Sequence, residues 1–413
     1  MMMNTRNLFI ILILTTVSMA GFGQTPEIHG YLRNYTGALT GQNGDFSIVQ
    51  NTLDLDIEKS TLDIAFKANP YIYQYAHKDE LDYGLREAYI DLYTDNMDIR
   101  LGKQQIIWGK ADGVFITDVV SPKDLREFLL PDFDEIRMGI TAAKLDYYIG
   151  NNTFELVWAP VFVPTHYPEE NSIWFPQEYP DNFRFDYSQK DVTAGLENSE
   201  IFFKYSRLSQ TLDIELMAGY MWDDDPAVHT RRYINQQTTQ PDSAVVTPKH
   251  HRLSLVGGSF SGEVEGVVLR SEAAYYMGKK FATNDMSIQD GIVDNDYLHY
   301  LVGADFIIGG ANVSLQFIQE AIMDYKDPLV QDEFSNTMTF LVNDDYFNNR
   351  LTLELFAYIG LDNEDALIRP KATYEIHSGL NLIAGANLFT GTEGRFGQYN
   401  ENDMAYFKLR YDF

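Results

Sequence analysis

Between positions 100 and 137 the chain collects the side chains best suited to act on a passing solute. Arg100, Lys110, Asp112, Asp118, Asp124, Arg126, Asp134, Glu135 and Arg137 set charges of both signs a few residues apart, with Trp108 among them. Charges gathered around a narrow aqueous opening select what passes. The same stretch carries Val114, Phe115, Ile116, Val119, Val120, Leu125, Phe128, Leu129 and Leu130. That is more apolar surface than a free loop exposes to water. Residues 109–135 are therefore expected to fold inward onto a wall, with their charges lining a constriction. The alternative use of these charges is to pair among themselves as structural support. Ser121 followed by Pro122 has the pattern of a capped helix start, so a short helical stretch is expected there.

Other candidate groups are fewer. Residues 162–199 form a long connection stiffened by Pro164, Pro168, Pro176 and Pro180 and rich in rings, including Trp174, Phe175 and Tyr179. It suits either an aromatic lid for an apolar ligand or a cover packed on itself. Asp223-Asp224-Asp225 follows Tyr220 and Trp222, where carboxylates could hold Ca²⁺ and bridge to lipopolysaccharide phosphate or simply open a solvated loop. His250 and His251 are adjacent, and neighbouring residues of a strand point apart, so they make a poor metal pair. No metal or other cofactor is expected. No His and Ser stand two residues apart, so the sequence lacks the same-face pair of outer-membrane phospholipases, and an enzyme is not expected. The net charge of −29 excludes nucleic acid as a partner, since phosphate must be neutralised by cations.

The elements that must position these groups are strands. Leu53-Asp54-Leu55-Asp56-Ile57-Glu58, Leu212-Asp213-Ile214-Glu215-Leu216 and Leu351-Thr352-Leu353-Glu354-Leu355 alternate with period two, which a helix would scatter around its surface. About eighteen such spans run from 28–39 to 404–413, of the roughly 10-residue length that membrane barrels use, with sixteen as the alternative count. Two of them, 97–108 and 136–149, flank the charged segment. Connections after even-numbered strands are short and turn-like, and those after odd-numbered strands are mostly long, the pattern of periplasmic turns and extracellular loops. One closed antiparallel transmembrane β-barrel in a single domain follows, because lipid offers an open sheet edge no hydrogen-bond partners. Alternation places Asp54, Asp56, Asp63, Lys67, Arg100, Asp213, Glu215, Glu354, Lys408 and Arg410 on the lumen wall. Aromatic residues make up 14% of a chain whose mean hydropathy is only −0.26, which fits two interfacial girdles around a polar interior.

The two ends agree with this. Phe407, Leu409, Tyr411 and Phe413 alternate with Lys408, Arg410 and Asp412, and the ending resembles the closing strand and assembly signal of Gram-negative outer-membrane barrels. Arg6, an apolar run from Leu8 to Val17 and small residues to Gly23 read as a signal peptide over 1–23, leaving 24–413 as the barrel. The chain has no Cys, hence neither a disulfide nor a lipoprotein anchor.

Gly102-Lys103-Gln104 leading to Trp108-Gly109, then Asp118, Ser121-Pro122, Asp124 and Asp134-Glu135-Ile136-Arg137, resembles a family of Gram-negative outer-membrane barrels known as domain of unknown function 1302. Leu156 to Pro164 resembles it too. The resemblance implies a porin-like barrel moving small apolar or amphipathic solutes, with outer-membrane lipid, lipopolysaccharide and the barrel assembly machinery as partners. It assigns no catalytic residue. Gln24 after the cleavage site and the Tyr- and Asn-rich composition look like a Bacteroidota-type source. A surface-binding barrel, for capsule or other polysaccharide, is the competing expectation.

Overall fold

The computed structural model describes residues 25–41, 45–175, 183–234, 241–326 and 328–413. Twenty-one strands follow one another. They are β1 (Glu27–Leu39), β2 (Phe46–Ser60), β3 (Ile64–Tyr75), β4 (Glu80–Tyr93), β5 (Met97–Gln104), β6 (Ile140–Ile149), β7 (Asn152–Ala159), β8 (Phe183–Phe185), β9 (Glu200–Arg207), β10 (Leu212–Trp222) and β11 (Ala227–Ile234). Then come β12 (Pro241–Lys249), β13 (Arg252–Val264), β14 (Val267–Ala282), β15 (Ile292–Ile308), β16 (Ala311–Ile322), β17 (Phe334–Tyr346), β18 (Leu351–Gly360), β19 (Asp365–His377), β20 (Leu380–Thr390) and β21 (Met404–Asp412). Eighteen of them, all except β8, β11 and β12, form one antiparallel sheet. The sheet closes on itself through β1 and β21, in register from Tyr31 opposite Asp412 to Leu39 opposite Met404. Gly30 and Phe413 complete the seam by exchanging backbone hydrogen bonds of 3.1 and 3.0 Å.

The wall follows the period-two rule. Leu32 faces out and Arg33 in; Phe407, Leu409, Tyr411 and Phe413 are exposed on the outer face while Lys408 is buried inside. Short turns at one end include Glu265-Gly266 and Gly309-Gly310, where positive φ at both central residues matches the twist of the flanking strands. The long connections, 105–139, 160–199 and 223–251, all lie at the other end. Asp63, expected on the lumen wall, instead sits in the turn between β2 and β3, where its carbonyl accepts from Tyr93 N at 2.9 Å. The signal-peptide residues 1–23 and Tyr179 lie outside the described residues.

Two differences from the sequence expectation matter. First, β11 and β12 pair as a hairpin, and β8 adds parallel to β12, making a small sheet in connections that read as loops. Second, stretches of the strands from β6 to β16 are apolar on both faces, although polar groups such as Glu155, Glu215, Glu272 and Gln316 are also buried on the inner one. Leu156, Phe203, Leu216, Val256 and Val302 point out and are 40 to 56% exposed. Their neighbours Val157, Phe202, Met217, Leu255 and Leu301 point in and are buried. An inward apolar face needs an apolar cover, and the 105–139 connection supplies it.

Candidate functional site

After Gln104 the chain leaves the wall and enters the lumen. The expected strand 97–108 stops four residues early, and its partner begins at Ile140 rather than 136. Alternation continued to Trp108 because Ile106 and Trp108 are buried and Ile107 is exposed, but they face the packed interior outside any ladder. The outgoing and returning legs are tied to each other. Ser121 Oγ accepts from Ile106 N at 2.8 Å and donates to Ile106 O at 3.1 Å. Asp118 accepts from Trp108 N at 3.2 Å and from the Arg137 guanidinium at 2.5 Å. The Gln105 amide donates to the carbonyls of Asp134 and Arg137 at 3.0 and 2.6 Å. Ser121 therefore does not cap a helix: its hydroxyl is spent on this cross-link, and the short helix forms later, at Phe133–Ile136.

The segment is anchored on the wall along its length. Trp108 is 2% exposed; its ring meets Phe202 edge-on at 6.1 Å, and its Nε1 donates to Glu155 at 2.6 Å. Ile116, Val119 and Val120 join one buried cluster with Val157, Met217, Leu255, Leu301 and Ile318. Glu272 on β14 accepts from Lys110 N at 2.5 Å and Thr117 Oγ1 at 2.7 Å. Arg270 donates to Lys110 O at 2.8 Å and pairs with Asp112, which also accepts from Ser314 and Gln316 at 3.2 and 3.1 Å. Lys110 Nζ lies 3.4 Å from Glu215. The tip turns at Gly113, whose φ of +82° suits glycine. A Cβ there would meet Phe356 and Tyr358, and Tyr358 Oη donates to Gly113 O at 2.6 Å.

The return leg crosses to the opposite wall. Arg126 pairs with Asp124 at 2.6 Å and with Asp82 of β4 at 3.4 Å. Arg369 of β19 donates to Leu129 O and Leu130 O at 2.9 and 2.8 Å. Glu135 takes Arg33 and Tyr31 of β1, both at 2.8 Å. Asp132 lies 4.0 Å from Arg33 and 3.8 Å from Lys408. Asp118–Arg137 and Asp124–Arg126 are thus internal pairs, whereas Lys110, Asp112 and Glu135 are held by wall residues. The carboxylates left open to water are those of Asp134, 88% exposed, and Asp132, 55% exposed. Asp132 is, like Asp134, one of the segment's charges that the sequence offers as candidates to line a constriction. The wall partners Arg33, Arg270, Glu272 and Arg369 were absent from the sequence-derived set, although each is a charge facing the interior of a strand. Arg100 stands apart from this site: it forms a two-pronged pair with Asp91 at 2.7 and 2.9 Å, near the turn end of β4 and β5.

The second connection locks onto the first. His166 N donates to Lys123 O and Leu125 N to His166 O, both at 2.8 Å. Trp174 is buried against Phe128, Phe389 and Tyr399, and its Nε1 donates to Glu127 at 3.2 Å. Phe128 holds a left-handed φ of +53° at the centre of this ring cluster. Phe175 meets Phe185 edge-on at 6.5 Å. Asp223 pairs with Lys279 at 2.7 Å and Asp225 takes the Tyr167 hydroxyl, so the acidic run is tied into neighbouring loops and wall. Among the described residues no three or more acidic, His or Cys side chains gather as a metal site.

An eighteen-stranded closed barrel with an apolar outer band and a long segment folded into its lumen defines the outer-membrane porin class of fold. The sequence profile of the family described as "protein of unknown function (DUF1302)" matches residues 38–413, and the chain belongs to that family. Solved structures with the same fold include a BenF-like porin of Pseudomonas fluorescens, 11% identical, covering 95% of this chain and all of that one at a TM-score of 0.56. OccK8 of Pseudomonas aeruginosa is 11% identical over 95% of this chain and 99% of its own, at 0.56. OccK2 of the same organism, solved with glucuronate, is 11% identical over 94 and 98%, at 0.55. Comparison with curated proteins gives no match.

Proposed function

We propose that the chain is an outer-membrane channel for small amphipathic solutes, with its aqueous path confined to one side of the lumen. The division of the inner wall carries this reading. From β6 to β16 the folded-in segment covers the wall, packing on its apolar residues and bonding to Glu155, Arg270, Glu272 and Gln316. From β1 to β5 it is charged and phenolic: Asp54, Lys67, Tyr71, Tyr73 and Arg86 face the interior, with Arg86 donating to Tyr73 Oη at 2.6 Å and Asp54 at 3.2 Å. Glu354 pairs with Lys371 at 2.8 Å on the other flank. Charge of both signs beside phenol rings suits molecules with an apolar body and a polar group. The open carboxylates of Asp132 and Asp134 border this path, and a narrow low-dielectric passage strengthens their action on ions.

Single-channel recording of the purified full-length barrel in planar bilayers tests the reading. Discrete conductance steps, reduced by an amphipathic solute or by glucuronate on the permeant side, are expected. A correctly folded barrel without steps would refute it and favour a surface-binding barrel.

A further inference from the structure

The small sheet at the loop end of the barrel has two unlike faces. One carries the buried Ala244 and Val246 together with Phe185, whose ring meets Phe175 of the second connection, so it is turned toward the barrel mouth. The other carries Arg231 of β11 and Arg184 of β8, both exposed and both in register with Val245 of β12 between them. Lys249 lies on that same face, four residues further along β12. We propose that this outward face docks the phosphates of a lipopolysaccharide headgroup in the outer leaflet.

Charge, height and shape agree on this ligand. Directly paired residues project to the same side of a sheet, so Arg184 and Arg231 flank Val245 with their Cα atoms about 10 Å apart, two strand spacings. Lys249 stands about 13 Å further along the strand. Among the described residues none of these three side chains has an ion-pair or hydrogen-bond partner. In the lumen, by contrast, Arg33, Lys67, Arg86 and Arg270 are all spent on carboxylates. Unpaired cations gathered on one face of a chain with a net charge of −29 call for an anion from outside. Two carboxylates border the patch without meeting its cations: Asp186 accepts from Ser188 N at 3.0 Å, and Asp290 sits 3.7 Å from His229 Nδ1. The height of the face follows from its contact with the rim. His229, on the same face as Arg231, comes within 2.8 Å of His251. The next residue, Arg252, lays its guanidinium over Tyr220 and Trp222. Aromatic residues of this kind mark the membrane interface, so the sheet stands just above it, at headgroup level. Arginine forks match phosphate oxygens two at a time. Arg231 and Tyr233 also line a cavity of about 350 Å³ with Arg232, Met286 and Gln289, within the size range of small-molecule sites and room for a sugar ring of the headgroup.

The test titrates the full-length barrel in detergent with diphosphoryl lipid A and counts bound lipid by native mass spectrometry. Retention of the lipid by the wild type is expected. Arg184→Gln, Arg231→Gln and Lys249→Gln combined should weaken it roughly 100-fold, at about fivefold for each cation beside an anionic lipid. Arg350→Gln, at the turn end where Arg350 caps the carbonyls of Glu375 and Ile376, should leave it unchanged. Lipid A stripped of phosphate should bind the wild type as weakly as intact lipid A binds the triple variant. The three positions are exposed or half-buried and unpartnered, so heat-modifiable gel mobility should show the variant still folded as a barrel. Equal retention of the phosphate-free lipid, or unchanged binding in the folded triple variant, would overturn the proposal. So would a wild type that ignores diphosphoryl lipid A but binds a soluble uronate polysaccharide through the same three residues; the face would then be a capsule contact.

Discussion

Arg270→Met should loosen the lumen segment without opening the barrel. Arg270 holds the segment through Lys110 O at 2.8 Å and through Asp112, while its remaining bonds, to Asp305 and Ser314 at 2.7 and 2.8 Å, stay within the wall. A hydrogen bond to a charged group contributes about 1.5–3 kcal/mol. Asp112 is 38% exposed and keeps Ser314 and Gln316, so screening and the remaining partners cut the loss to about 2 kcal/mol. At 1.4 kcal/mol per factor of ten, the ratio of undocked to docked segment should rise about 30-fold. In single-channel recordings this appears as a roughly 30-fold longer total time in a wider, noisier level. Asp112→Asn, which keeps the neutral hydrogen bonds, should give a smaller change. Arg270→Lys should fall between, because one ammonium cannot reach Lys110 O, Asp112 and Asp305 as a planar fork does. Wild-type level statistics in a folded Arg270→Met barrel would refute the idea that this anchor holds a constriction.

Neutralising Asp132 and Asp134 together to Asn should lower cation preference in reversal-potential measurements, whereas Asp118→Asn, buried against Arg137, should lower stability and leave selectivity alone. Trp174→Ala removes a buried ring from the Phe128, Phe389 and Tyr399 cluster, costing about 3 kcal/mol locally; limited proteolysis should cut 160–199 faster while the barrel band survives. Deleting Phe413 should lower outer-membrane levels with periplasmic delivery intact, and should slow refolding in detergent more than Phe413→Ala does. The substitution keeps both backbone bonds to Gly30, and the deletion removes them.

The wall was readable because lipid imposes a strict rule on it: outward residues are apolar at every second position, so strand boundaries such as 380–390 emerge from local pattern alone. The segment's inward path was readable from too much apolar surface in a place with no strand to carry it. What the sequence concealed is who meets whom. Asp112 and Arg270 are 158 residues apart, and only the register of the closed barrel brings them together. The helix expected after Ser121 failed for a related reason, because a hydroxyl that suits a cap also suits a cross-link, and the tertiary partner Ile106 won. The small sheet escaped notice although Ala244, Val246 and Thr230 are buried in it, since Pro241 and Pro248 mark β12 as poor strand material.

The segment's ties also differ in how far they reach along the chain. Its internal bond between Asp118 and Arg137 spans 19 residues, but Gly113 waits for Tyr358, 245 residues later, and Leu129 for Arg369, 240 later. Short-range contacts form early and long-range ones late, because loop closure must precede them. The segment can therefore take its own hairpin-like shape while half the barrel is still unbuilt, yet has nowhere to bury Trp108, Ile116 and Val119 until the strands from β6 to β16 surround it. During that interval the growing chain presents an oily surface to water on its inner side as well as its outer one. The cost of a built-in plug falls on biogenesis: mutations that stall the last third of the chain should produce aggregation seeded from residues near its first third.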